Sequence, residues 1–185
     1  MSCSCVWLDC STHCVKNNNK GVHMQTITCT AIRKLNPCYN PATKLPENYS
    51  GTVVDFLRQW QIPTYDRIWV AKNFVTDKTN RLFAVYCARR ALALQDDVDP
   101  RSTAACDVAE RFAHGAATAV ELREAWSAAR SVWQDPTTWS AATRSVAARS
   151  VCLQNAALAS WSVWSASADS TQINYLIALL ERGEP

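Results

Sequence analysis

Residues 81–124 constrain the fold more than any other part of the chain, because helix start and stop signals lie close together within them. The segment from 77 to about 95 predicts a helix, and residues 82–88 are apolar on every side, which is typical of a helix buried centrally. Asp99 followed by Pro100 is a typical helix start. We therefore expect a central helix, a tight turn and a second helix.

The second helix of this stretch has apolar residues at the spacing of one helical face: Ala105, Val108, Ala109 and Phe112. Gly115 is expected to end it, with His114 in the last turn, where an imidazolium suits the helix dipole. Thr118 and Glu121 form a capping-box pattern that opens a third helix. The buried stripe of that helix is predicted to be Leu122, Ala125, Trp126, Ala129 and Trp133.

The N-terminal part has weaker helix signals. Three prolines prevent a long helix between residues 24 and 50, and a short helical turn is expected around 30–35. Ser50 is placed to cap a helix at 51–60, whose apolar face is Val53, Val54, Leu57 and Trp60. A further helix at 64–73 is predicted from Tyr65, Ile68, Trp69 and Phe74.

The C-terminal part predicts more helix. Residues 137–168 are rich in Ala, Ser and Trp, and Asp169 is expected to cap a last helix that ends before Gly183. The core face of this last helix is Ile173, Leu176, Ile177 and Leu180. We expect an all-α single domain over 24–182, with about six or seven helices in an antiparallel or orthogonal array. Residues 1–23 are expected to be a polar leader or upstream extension without fixed structure.

Charge is distributed unevenly along the chain, whose formal net charge is +3. Residues 1–90 carry 12 Lys and Arg against 5 Asp and Glu, whereas residues 91–185 carry 7 against 11. This polarity can orient a charged partner, but it lacks the continuous basic stripe expected for nucleic-acid binding. Because neither a long apolar span nor a secretion signal is evident, we expect a cytoplasmic protein that does not bind a membrane.

Seven of the nine cysteines fall into two groups, and Cys29 and Cys38 are scattered. Cys87, Cys106 and Cys152 lie within helical patterns and are predicted to be compact apolar core groups. A second group, in the pattern C-x-C-x4-C-x2-H-C, consists of Cys3, Cys5, Cys10, His13 and Cys14. Such a set can bind zinc, which is the alternative interpretation. We favour a leader without a metal, because the paired C-x2-C of zinc modules is missing.

Catalytic motifs are missing from the sequence, including nucleophile elbows, phosphate-binding loops and zinc-protease motifs. Asp107, Glu110 and Arg111 form a carboxylate-rich face on the second helix of the 81–124 stretch. Paired carboxylates can act as acid and base, but beside an arginine at this spacing they more often form a solvated salt-bridge face. The sequence therefore predicts a protein that is not an enzyme and needs no cofactor.

Aromatic and basic groups supply candidate partner-binding residues. Among the eight tryptophans, Trp126, Trp133 and Trp139 are predicted to lie in the core. Trp161 and Trp164 have weakly apolar surroundings and would anchor a protein partner if exposed, with core burial as the alternative. Arg89 and Arg90 are expected either to form a basic recognition spot or to pair internally with Asp96, Asp97 and Asp99.

Four segments carry a resemblance to a known family: RLFAVYCARRALAL at 81–94, the D-x-R of Asp99 and Arg101, ACDVAERFAHG at 105–115, and the T-x-x-E-L beginning at Thr118. These segments resemble the small immunity proteins called type-5-like, which occur in bacteria and in phages. The resemblance covers roughly 24–182 and is clear between about 77 and 130. It implies an all-helical fold in which the D-x-R motif is the characteristic feature.

The family's name implies that its members neutralise a cognate toxin by binding it. We therefore hypothesise a non-enzymatic, protein-binding inhibitor that occludes a bacterial toxin or a host defence factor. The alternatives are an anti-CRISPR-like counter-defence protein, a phage structural or assembly protein, and a metal-dependent switch or enzyme at the N-terminal cysteines; a homodimer is left open. The candidate partner-binding residues are Asp99, Arg101, Asp107, Glu110, Arg111, Trp161 and Trp164.

Overall fold

Helices form most of the secondary structure in the part of the chain that the computed structural model describes, namely residues 26–37, 40–94, 98–131 and 170–183. The seven α-helices in these ranges are α1 (Cys29–Lys34), α2 (Val53–Leu57), α3 (Thr64–Ala71), α4 (Asp77–Leu92), α5 (Pro100–Ala113), α6 (Ala119–Ser131) and α7 (Thr171–Glu181). A 3-10 helix at Pro41–Thr43 and two short strands, β1 (Ile27–Thr28) and β2 (Ser50–Gly51), complete them. The predicted all-α class is confirmed.

The two strands form an antiparallel ladder, with Ile27 opposite Gly51, that the sequence does not predict. Ser50 lies in β2, so its prediction as a helix cap is wrong. Thr52 caps α2 instead, because its hydroxyl accepts a hydrogen bond from the backbone N–H of Asp55 at 3.1 Å. The Asp55 carboxylate accepts in return from the backbone N–H of Thr52 at 2.9 Å, which completes a capping box.

Helix α2 is shorter than the predicted 51–60 and ends at Leu57. Trp60 is therefore not on the buried face of a helix, and its side chain is 86% exposed. Ile62, two residues later, is fully buried and fills the core in its place. The helix cannot extend far, because Pro63 disfavours helical backbone at the residue before it. The prediction of Trp60 as part of an apolar helix face is wrong.

Helix α4 lies at the centre of the core, as the sequence predicts, and packs against α5 and α7. Its buried residues face every side of the helix: Thr79, Arg81, Leu82, Phe83, Ala84, Val85, Cys87, Ala88, Ala91 and Leu92. Arg81 is buried with its guanidinium carbon 4.8 Å from the centre of the Phe112 ring. This cation–π contact joins α4 to α5.

Helices α5 and α6 confirm the predicted start and stop signals. Asp99 is the N-cap of α5 and Pro100 its first residue. His114 is the C-cap, and Gly115 follows with a φ of +73°, the left-handed backbone that glycine adopts readily. Of the predicted α5 stripe, Ala105 and Ala109 are buried, and of the α6 stripe Ala129 is buried, whereas Val108, Phe112, Leu122, Ala125 and Trp126 are half-buried.

Helix α7 packs on α4 and α2 and ends, as predicted, next to Gly183, whose φ is +64°. Its buried apolar residues are Ile173, Leu176 and Leu179, while Ile177 and Leu180 are half-buried against the same core. Ser170 occupies the N-cap position and makes no side-chain capping hydrogen bond.

Several predictions lie outside the described residues, namely those for residues 1–23 and 137–168, the cap at Asp169 and the burial of Trp133. Within the described residues, no helix has the length and apolar character needed to cross a membrane.

Candidate functional site

Asp99 and Arg101, the D-x-R pair, contact each other through both side chains at the start of α5. Arg101 Nη2 donates to Asp99 Oδ2 at 2.7 Å and Nε donates to Oδ1 at 3.0 Å. The backbone N–H of Arg101 also donates to Oδ1, at 2.9 Å, which is the capping bond of the helix. Arg101 Nη1 donates to Ser131 Oγ at 2.9 Å, at the last residue of α6. The motif thus caps α5 and links its start to the end of α6.

The carboxylates of Asp107 and Glu110 both pair with Arg89 on α4. Arg89 Nη2 lies 2.9 Å from Asp107 Oδ1 and 2.7 Å from Glu110 Oε2. Burial alone lowers the pKa of the Arg89 guanidinium, but the hydrogen bonds that it donates to Glu110 and Asp107, together with the attraction of their charges, outweigh burial, and the pKa is raised. The expected pairing within one helix is replaced by a pairing between α4 and α5, because these two helices pack side by side.

Arg111 is separate from this group. Its Nη1 lies 3.6 Å from Glu121 Oε1 on α6. Glu121 completes the predicted capping box, since its carboxylate accepts from the backbone N–H of Thr118 at 2.7 Å. That hydrogen bond and the one from the Thr118 hydroxyl lower the pKa of Glu121. The structure therefore does not bring Asp107, Glu110 and Arg111 together as one cluster.

Arg89 pairs with two carboxylates of α5, and its predicted pairing with Asp96 and Asp97 lies outside the described residues. Arg90 packs on Tyr86, with its guanidinium carbon 5.9 Å from the ring centre and Nη1 3.3 Å from the hydroxyl. Tyr86 stacks in parallel on Tyr175 of α7, with ring centres 3.7 Å apart. These contacts border a shallow groove of about 280 Å³ between α4, α5 and α7.

Residues 58–63, here called the Trp60 turn, hold the most exposed large apolar side chain of the described chain. Two backbone hydrogen bonds shape the turn, from Gln59 N–H to the Phe56 carbonyl and from Ile62 N–H to the Gln59 carbonyl, both at 3.0 Å. The Gln59 side chain donates to the Asp55 carbonyl at 2.9 Å. Because Ile62 is fully buried, the turn is fixed at one end while Trp60 projects into solvent.

Arg67 of α3 links the residues that flank the two ends of the Trp60 turn. Its Nη1 donates to the Leu57 carbonyl at 2.6 Å, and its Nη2 donates to Thr64 Oγ1 at 3.2 Å. Its Nε is buried without a hydrogen-bond partner, and burial lowers the pKa of the guanidinium. Sequence reasoning missed this arrangement. The available signal was a single tryptophan between two glutamines, three residues before Pro63.

Three cysteines in the described ranges, Cys29, Cys87 and Cys106, are free and buried, as predicted for the last two. Burial raises the pKa of the Cys87 thiol, which suits an unreactive core group. Cys152 and the candidate zinc ligands Cys3, Cys5, Cys10, His13 and Cys14 lie outside these ranges, as do Trp139, Trp161 and Trp164. Among the residues that the structure describes, no three His, Cys, Asp or Glu side chains are grouped to hold a metal ion.

In the described residues the fold is mainly helical, and ion pairs of side chains join α4 to α5 and α5 to α6. Comparison of the chain with family models, with curated proteins and with solved structures finds no match in any of the three.

Proposed function

We propose that this protein is a non-catalytic, protein-binding inhibitor of the immunity type, which occludes a bacterial toxin or defence factor in the cytoplasm. The observation that carries the proposal is the exposure of Trp60, whose side chain is 86% accessible on a hydrogen-bonded turn. Tryptophan is the residue type most enriched among the hot spots of protein interfaces. The Trp60 turn is therefore the proposed contact surface.

The rigidity of the turn supports this role. An anchor that is already held in its bound position loses little conformational entropy on binding. Ile62 holds one end of the turn in the core, and Gln61 Nε2 donates to Gln59 Oε1 at 2.8 Å. A tryptophan in such a setting can enter a pocket of a partner without reorganising the loop that carries it.

A non-catalytic role also agrees with the contacts of the candidate acidic residues, each of which pairs with an arginine. The side chains that the sequence offered as an acid–base pair, Asp107 and Glu110, both contact Arg89. Asp99 is engaged by Arg101 and caps a helix. These contacts give each of the three carboxylates a structural role, so no catalytic step is assigned to them.

The test is affinity capture from a lysate of the source organism with the full-length protein as bait. We expect a specific protein to be retained by the wild type and by Trp60→Phe, and to be lost by Trp60→Ala. The control is Val120→Ala on α6, because Val120 is also exposed, at 55%. Co-expression of the captured protein should then show whether its toxicity or defence activity is suppressed.

Two outcomes would reject the proposal. One is a captured protein whose retention is the same for Trp60→Ala as for the wild type. The other is a captured phage capsid or assembly component whose activity the protein does not inhibit. The second outcome would support a structural role in a phage instead.

A further inference from the structure

We draw no further inference here: the strongest candidate, the shallow groove of about 280 Å³ between α4, α5 and α7 that Tyr86 and Tyr175 border, carries none because nothing in the described part of the structure shows what covers it.

Discussion

Arg101 binds both carboxylate oxygens of Asp99, at 2.7 and 3.0 Å, and the same carboxylate accepts the backbone N–H of Arg101 at 2.9 Å. One side chain thus caps α5 and orients the guanidinium that reaches Ser131 on α6. Any residue but proline at position 101 could donate the backbone N–H of the capping bond, and an arginine there can also pair its guanidinium with the same carboxylate. The motif has a structural explanation that does not involve a partner.

The first prediction concerns this cap. Asp99→Ala should lower the free energy of unfolding by about 1–2 kcal/mol, because it removes the capping acceptor and the ion pair together. Asp99→Asn keeps an oxygen for the backbone N–H and should cost less than about 1 kcal/mol. Urea denaturation measures both. Equal losses for the two variants would show that the ion pair, and not the cap, supplies the stability.

The second prediction concerns Arg89, whose guanidinium joins α4 to two carboxylates of α5. Arg89→Ala should cost about 1 kcal/mol, and Arg89→Lys less, since lysine keeps the charge but cannot span both partners in the same way. A double-mutant cycle with Glu110→Gln should give a coupling energy of roughly 0.3–1 kcal/mol that decreases in high salt. A coupling of zero at low salt would contradict the pairing.

The third prediction concerns the loss of folding stability at acid pH. Hydrogen bonds from the Thr118 backbone and hydroxyl lower the pKa of Glu121 below its ordinary 4.5. A carboxylate with a depressed pKa contributes stability that is complete above its ordinary pKa and is lost as pH falls through the folded-state value. Glu121→Gln should therefore reduce the fall in the urea midpoint between neutral pH and about pH 3. An unchanged slope would show that the capping box does not favour the charged form.

The fourth prediction concerns a carboxyl group whose ionisation destabilises the fold, in contrast to that of Glu121. Burial raises the pKa of Asp66 on α3 above its ordinary 3.8, so ionisation of this group opposes folding. The cost is absent below that ordinary value and develops as pH rises through the raised pKa of the folded state. Asp66→Asn should therefore raise the urea midpoint at pH 7 and have little effect at pH 3. The reverse pattern would indicate a cation beside Asp66.

The sequence predicted those features that depend on a few consecutive residues. The Thr118–Glu121 capping box, the Asp99–Pro100 start and the Gly115 stop each need only local backbone geometry, and all three are present. The burial of α4 on every side was also predicted, because the continuous run of apolar residues in its sequence is enough to indicate a central helix.

Features that depend on contacts between distant segments were not predicted. The β1–β2 ladder pairs two strands of two residues each, which are too short to show alternation. The partners of Arg89 in the described residues, Asp107 and Glu110, lie on a neighbouring helix, whereas the sequence also offers acidic residues closer along the chain. Trp60 continued the apolar spacing of α2, but the helix ends at Leu57, and the spacing past that point has no structural meaning.

The last prediction separates the two apolar residues of the Trp60 turn. Ile62 is fully buried, so Ile62→Ala should lower the free energy of unfolding by about 2–5 kcal/mol, through lost burial and the cavity left behind. Trp60 is 86% exposed, so Trp60→Ala should change stability by less than about 0.5 kcal/mol while it abolishes capture of the partner. Urea denaturation and capture are measured on the same preparations. A large stability loss in Trp60→Ala would mean that Trp60 packs against the protein itself, and its loss of binding would then reflect unfolding. If Trp60→Ala changes the free energy of unfolding little but no longer retains the partner, the indole contributes to binding and not to the stability of the fold. This is the expected result for a side chain that is 86% exposed.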